Sequence, residues 1–466
     1  MIRSHFRGGT EWADEGLVLS TPSDQACKLF DSALSQLIGW YDDKTFGGLK
    51  TTLENMKVAD PDFVMGHVMS IGLDLIGSGR TPRLDNSFKM EIETMESLAK
   101  KQADGLTQRE QSHVKAIQLW ADGYLKEATG VLDNILVKHP TDMFAIRMAH
   151  DGYFYQGHLP QMRDSIARAL PQWKPATPLY SYLFGLYAFG LEETNFYSTA
   201  EGFARKGLYL NPNDAWATHA LAHVFEMESR TSEGEAFMSS TVNNWELGNM
   251  LASHNYWHWA LYLIEQGEFE AAIDIFDAQV GKRMLLGRSL GIDATSLLYR
   301  LELEGAQVKD RWREVYEVCC THMEDHILAF NDAHLFMSCL GAKEKNATRL
   351  MMNSLDEYLR ESKGTNPEVT AKVGSKIIQA LLAYDEERYE DVVSILYPVR
   401  YEIVQIGGSN AQRDVFNLLL IHAALKSSKR YHHCLAQCLL YDRKAFRGTS
   451  PMMDRLMARA LASHQV

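Results

Sequence analysis

Apolar residues recur every three or four positions through most of this chain, in runs broken by short polar turns. That period places one apolar stripe on a helix face, and no run alternates as a half-buried strand would. The segment "SHVKAIQLWADGYLKEATGVLDNILVKHPTD" reads as helix, turn, helix and a Pro terminator. Gly123 falls at the turn, Ala128 is a small residue in the second helix, and Pro140 closes the unit. A shift of 34 residues brings "FAIRMAHDGYFYQGHLPQMRDSIARALPQW" into the same frame, with Gly157 at its turn. A third unit carries Ala200, Gly207 and Pro212 in register. A fourth begins at Ala215, and a fifth, "HNYWHWALYLIEQGEFEAAIDIFDAQ", fits with Gly267, Ala272 and Phe276.

Small residues at these slots let two helices approach, and aromatics fill the gaps between hairpins. No single hairpin can bury its own apolar face, so the units must stack. The pattern predicts an all-α fold: a right-handed superhelical solenoid of tetratricopeptide-like helical hairpins. Later strings such as "KIIQALLAYDEERYEDVVSILYPVR" keep the helical period but lose the consensus, and "SPMMDRLMARALASH" reads as the closing helix. In the N-terminal part, Ser23 or Asp24 is placed to cap a helix before "ACKLFDSALSQLIGW". The expected division is an N-terminal helical cap over 1–105, regular repeats over 106–285, and degenerate repeats with a C-terminal cap over 286–466.

Composition narrows the function classes. The 466 residues carry 47 basic and 60 acidic side chains, a formal charge of −13. A broad basic surface for nucleic acid or anionic lipid is therefore not expected. The six cysteines form no CxxC pair, which predicts buried thiols in a reducing compartment. No apolar run suits a signal peptide or a membrane span. The expected location is cytoplasmic.

In such repeats the first helix of each hairpin lines the concave surface, through slots two, five, nine and twelve of the unit. With the turn Gly at slot fifteen, this assigns His113, then Arg147 and Asp151, to an inner groove. The fourth unit places His219, His223 and Glu226 there, and the fifth His254 and Trp257; Asp332, His334 and Arg413 are further candidates from later hairpins. The register of the fourth unit is open to a one-residue slip, because its turn lacks a clear Gly.

The stretch "DAWATHALAHVFEM" concentrates the chemistry, since spacings of four and three put His219, His223 and Glu226 on one face. Three readings remain open: a hydrogen-bonded polar lining, a groove for a peptide or small molecule, or a transition-metal or acid–base site. In the metal reading His219, His223, Glu226 and His254 are the ligands, a mixed N/O set. The spacing is not HExxH, so the metalloprotease arrangement is missing. His150 beside Asp151 diverges from it on a helix and reads as packing. "GGSNAQRD" lacks a nucleotide-loop pattern and reads as a tight turn, with Arg413 or Asp414 reaching into the groove. Cys319, Cys320, Cys434 and Cys438 read as small buried hydrophobes. With no cofactor fingerprint, the groove is expected to take a protein, a peptide or a small molecule, and a homodimer remains open.

Beyond the repeat pattern, "DPDFVMGH", "HDGYFYQG", "DAWATHALAHVFEM", "HNYWHWALYLIE", "FNDAH" and "GGSNAQRDVFNLLLIHAAL" resemble the tetratricopeptide repeat protein 38 family across nearly the whole chain. The resemblance implies an all-α repeat protein with a poorly defined biochemical role. A tyrosine-hydroxylating role has been suggested for bacterial relatives, which raises the enzyme reading without assigning a catalytic residue. GxGxxG is absent, so the residues give no support to a flavin site.

Overall fold

A computed structural model describes residues 3–248 and 250–462. Among the described residues every regular element is helical, and no strand forms. The chain divides into two compact units: Met1–Ala220 with Asn244–Asn249, and Leu221–Asn243 with Met250–Val466. No helix among the described residues is long and apolar enough to cross a membrane.

Eight of the turns between successive helices close in one way. At each turn a single residue takes positive φ: Gly123 (87°), Gly157 (65°), Asn195 (67°), Ser229 (56°), Gly267 (92°), Gly305 (95°), Lys343 (59°) and Glu387 (58°). The next residue's N–H then reaches back five positions, as in Tyr124 to Leu119 (2.7 Å), Arg230 to Phe225 (2.8 Å), Glu268 to Leu263 (2.8 Å) and Arg388 to Ala383 (2.8 Å). This is the Schellman closure, which satisfies carbonyls that a helix end leaves over. Glycine suits the left-handed position, while Asn, Ser, Lys and Glu occupy it at a steric cost. Ser229 thus takes the turn position in the fourth hairpin, fixing its register without a glycine.

In the first unit, helix α1 (Asp24–Gly39) is capped by Ser23, whose Oγ accepts the Ala26 N–H at 3.1 Å. Phe30 of α1 packs edge-on against Trp12, Phe63 and Phe144, with ring centroids 5.6, 5.9 and 6.4 Å apart. Helices α2 (Gln108–Ala121) and α3 (Met143–Tyr155) open the first two regular hairpins. Gly185 shows why small residues recur: a Cβ there would meet the Ala217 backbone nitrogen at 2.6 Å. The helix carrying Ala217 is α4 (Ala215–Met227), which runs from the first unit into the second.

The second unit contains α5 (Met250–Gln266), α6 (Ile292–Glu304) and α7 (Ala329–Gly341), each the first helix of a hairpin. It ends with α8 (Asn410–Lys426), α9 (Arg430–Arg447) and α10 (Pro451–Ala462); Ser463 and His464 of the closing string lie outside the described residues. These last helices return onto the earlier ones. Arg455 of α10 donates to the Ile264 and Glu265 carbonyls of α5 (3.0 Å each) and to Glu304 of α6 (3.0 Å). The cysteine expectation holds only in part. Cys27, Cys319 and Cys339 are buried, Cys320 is half-buried, and Cys434 and Cys438 stand exposed on α9. Their spacing of four puts both on one face of that helix.

Candidate functional site

Nearly all the residues assigned to an open inner groove are buried in the fold. In the first unit, His113 Nε2 meets Asp142 Oδ2 at 2.8 Å, and Arg109 donates to the same oxygen at 2.8 Å. Asp142 also caps α3 through the Ala145 N–H (3.0 Å). Burial opposes ionisation of this carboxyl, yet the pairings with His113 and Arg109 and the cap hold it far below the usual range. Arg147 pairs with Asp151 at 2.7 Å one turn along α3 and lies over the Trp216 ring at 4.1 Å. Burial raises the Asp151 carboxyl to about 6. His150 Nε2 donates to the Leu186 carbonyl (3.2 Å), and burial lowers its ring to about 3, which makes it a packing residue. His219 packs against Phe189 and Trp216, with centroids at 4.9 and 6.1 Å. Within this unit α1 and its flanks cover the inner face: the Ile38 carbonyl accepts the Trp216 indole N–H at 2.8 Å.

The second unit gathers the chemistry at one place. His223 projects from α4, one turn beyond His219, while His254 and His258 project from α5 one turn apart. One ring nitrogen from each of His223, His254 and His258 lies within 4.8 Å of the others. The His223 and His258 rings are 4.2 Å apart by centroid, and those of His254 and His258 4.8 Å apart. Side chains four apart share a helix face, so α5 presents two rings toward the one from α4.

Carboxylates hold two of these rings from behind. His258 Nδ1 donates to Glu226 Oε2 at 2.9 Å, and His254 Nδ1 to both oxygens of Asp293 at 3.0 Å each. A carboxylate accepts only, so each of these rings carries a proton on Nδ1. Glu226 is anchored in turn by Arg447 of α9 at 3.1 Å. Burial raises the Glu226 carboxyl in spite of that pairing. Burial, the neighbouring histidines and Arg447 push the His223 and His258 rings well below their ordinary value, so both are neutral at neutral pH.

Around this centre lies a buried ionic lattice. Arg443 reaches Asp414 (2.8 Å) and Glu265 (3.0 Å); Arg447 lies 3.6 Å from each of those carboxylates, and Arg300 lies 4.0 Å from Asp414. The three arginines hold the Asp414 carboxyl well below the usual range, against the opposing effect of burial. Trp257 stacks on His254 (4.9 Å, 15°), and the Arg300 guanidinium lies over the Trp257 ring at 5.6 Å from its centroid. Trp257 is fully buried, whereas the His254 and Asp293 side chains keep 13% and 15% of their surface. The outer edge of the centre therefore lies at this pair.

The remaining candidates do not join it. Asp332 accepts from His326 Nδ1 (3.1 Å), whose Nε2 meets Ser354 Oγ at 2.9 Å. His334 donates to the Phe330 carbonyl (2.8 Å) between the Phe330 and Phe416 rings, and burial lowers it to about 4. Arg413 donates to the Gly408 carbonyl and to Asn410 Oδ1 (2.7 Å), bracing the glycine turn ahead of α8. His258, Arg300, Arg443, Arg447 and Asp293 were not among the sequence candidates. His258 was within reach, because "HNYWH" contains the spacing of four that marks two rings on one face.

No protein-family model matches the chain. Among solved structures, a monomeric mutant of IFIT1 with Gppp-AAAA aligns over 98% of both chains, at 14% identity and a TM-score of 0.33.

Proposed function

We propose that this is a cytosolic helical-repeat protein that binds a compact ligand at the histidine centre of its second unit. The observation that carries this reading is the burial of the inner face. His223, His258, Glu226 and Trp257 lie under α8–α10, tied down by Arg443, Arg447 and Arg455, and His254 with Asp293 alone of the centre keeps part of its surface. An extended peptide needs an accessible strip of side chains and backbone. A compact ligand entering beside His254 needs only the centre itself. The resemblance to the tetratricopeptide repeat protein 38 family supports the repeat scaffold on which this reading rests.

A native mass measurement of the full, untagged chain tests it. The expected spectrum is the chain plus a small, stoichiometric retained mass that disappears on denaturation. The bare chain, or a chain holding a polypeptide partner that Asp293→Ala fails to weaken, would contradict the reading.

A further inference from the structure

We propose that His223, His254 and His258 bind one divalent transition-metal ion, with Glu226 and Asp293 orienting the rings from behind. This rests on the reading that the second unit holds a compact ligand, and it names the class of that ligand.

Three observations converge. The first is geometric: three imidazoles from two helices bring a nitrogen each within 4.8 Å of one another. Nitrogens sharing a tetrahedral ion at about 2.1 Å stand about 3.4 Å apart, so small ring rotations complete the set. The second concerns the partners of the rings. Ligating histidines characteristically donate their far N–H to a carboxylate or carbonyl, which fixes the tautomer and raises ligand basicity. His254 and His258 both do so, and Arg447 secures the carboxylate behind His258. The third is the donor type. An all-imidazole set favours zinc, copper, iron, cobalt or nickel over magnesium or calcium, which take oxygen ligands.

This arrangement reassigns Glu226. Its Oε2 receives His258 and its Oε1 receives Arg447, so both oxygens are committed to orienting the centre rather than to the ion. Partial exposure at His254 and Asp293 gives an ion at this centre a route from solvent.

Cobalt(II) tests the site, because its visible absorption reports coordination directly. Full-length protein is stripped with a chelator, its helical circular dichroism is verified, and Co(II) is titrated. The expected result is a single Co(II) per chain with the intense bands of a four-coordinate nitrogen-rich site. His254→Gln, at the partly exposed edge, should abolish those bands with the fold intact. Glu226→Gln should retain the stoichiometry with affinity lower by about 10–100-fold. His334→Gln, a buried histidine outside the centre, should bind like the wild type. Absence of uptake by the folded wild type, or uptake unchanged in His254→Gln, would overturn the proposal. An organic mass retained in the native spectrum together with no cobalt uptake would overturn the metal and leave the compact-ligand reading standing.

Discussion

Glu226 carries two duties at the residue scale, pairing with Arg447 and holding His258. Removing it strands a buried guanidinium and frees the ring. Glu226→Ala should cost roughly 3–5 kcal/mol in urea unfolding, the usual penalty for breaking one side of a buried pair. Asp214 tests burial by pH. Its Oδ1 caps α4 through the Trp216 and Ala217 N–H groups (3.0 and 3.1 Å), while its buried Oδ2 has no partner among the described residues. Burial raises this carboxyl from 3.8 to about 7. The folded state therefore keeps a proton that the unfolded chain loses, and stability drains away as pH rises between those values and stays lower above them. Asp214→Asn keeps the cap and removes the ionisation. It should match the wild type near pH 4 and exceed it at pH 8 in denaturant unfolding; an equal difference at both would refute the assignment.

At the scale of the element, the left-handed turn residue is the unit of construction. Glu387 and Lys343 hold the position that Gly123 and Gly267 fill without strain. Glu387→Gly should raise the melting temperature, by an energy of about 1 kcal/mol, and Gly267→Ala should lower it by a similar amount. This device explains what the sequence disclosed. Gly123, Gly157 and Gly267 advertised their hairpins, whereas Asn195, Ser229, Lys343 and Glu387 play the same part without announcing it. Among the later repeats, Lys343 and Glu387 hold the turn without the glycine that would mark it in the sequence. Trp257 shows the opposite failure: its slot assigned it to an open groove, yet it is fully buried. Trp257→Ala should therefore cost about 3–5 kcal/mol through the cavity it leaves. A variant as stable as the wild type would restore the groove reading.

Across the whole molecule, local periodicity predicted hairpins well because each is settled by neighbours in sequence. It could not predict what covers their inner faces. Arg443 and Arg447 meet Glu265 and Glu226 across 178 and 221 residues, and no repeat register contains such a pairing. The same gap explains the ligand set. His219, His223 and Glu226 follow from helical spacing and His254 from the repeat register, while the Arg447 pairing of Glu226 depends on α9 arriving. The account's central claim is a centre of three imidazoles with carboxylates behind them, and X-ray absorption at the metal edge of cobalt-loaded protein tests it most directly. It predicts a nitrogen-dominated first shell at about 2.0–2.1 Å with the multiple scattering of three imidazole rings. A shell of carboxylate oxygens, or fewer than three imidazoles, would contradict it.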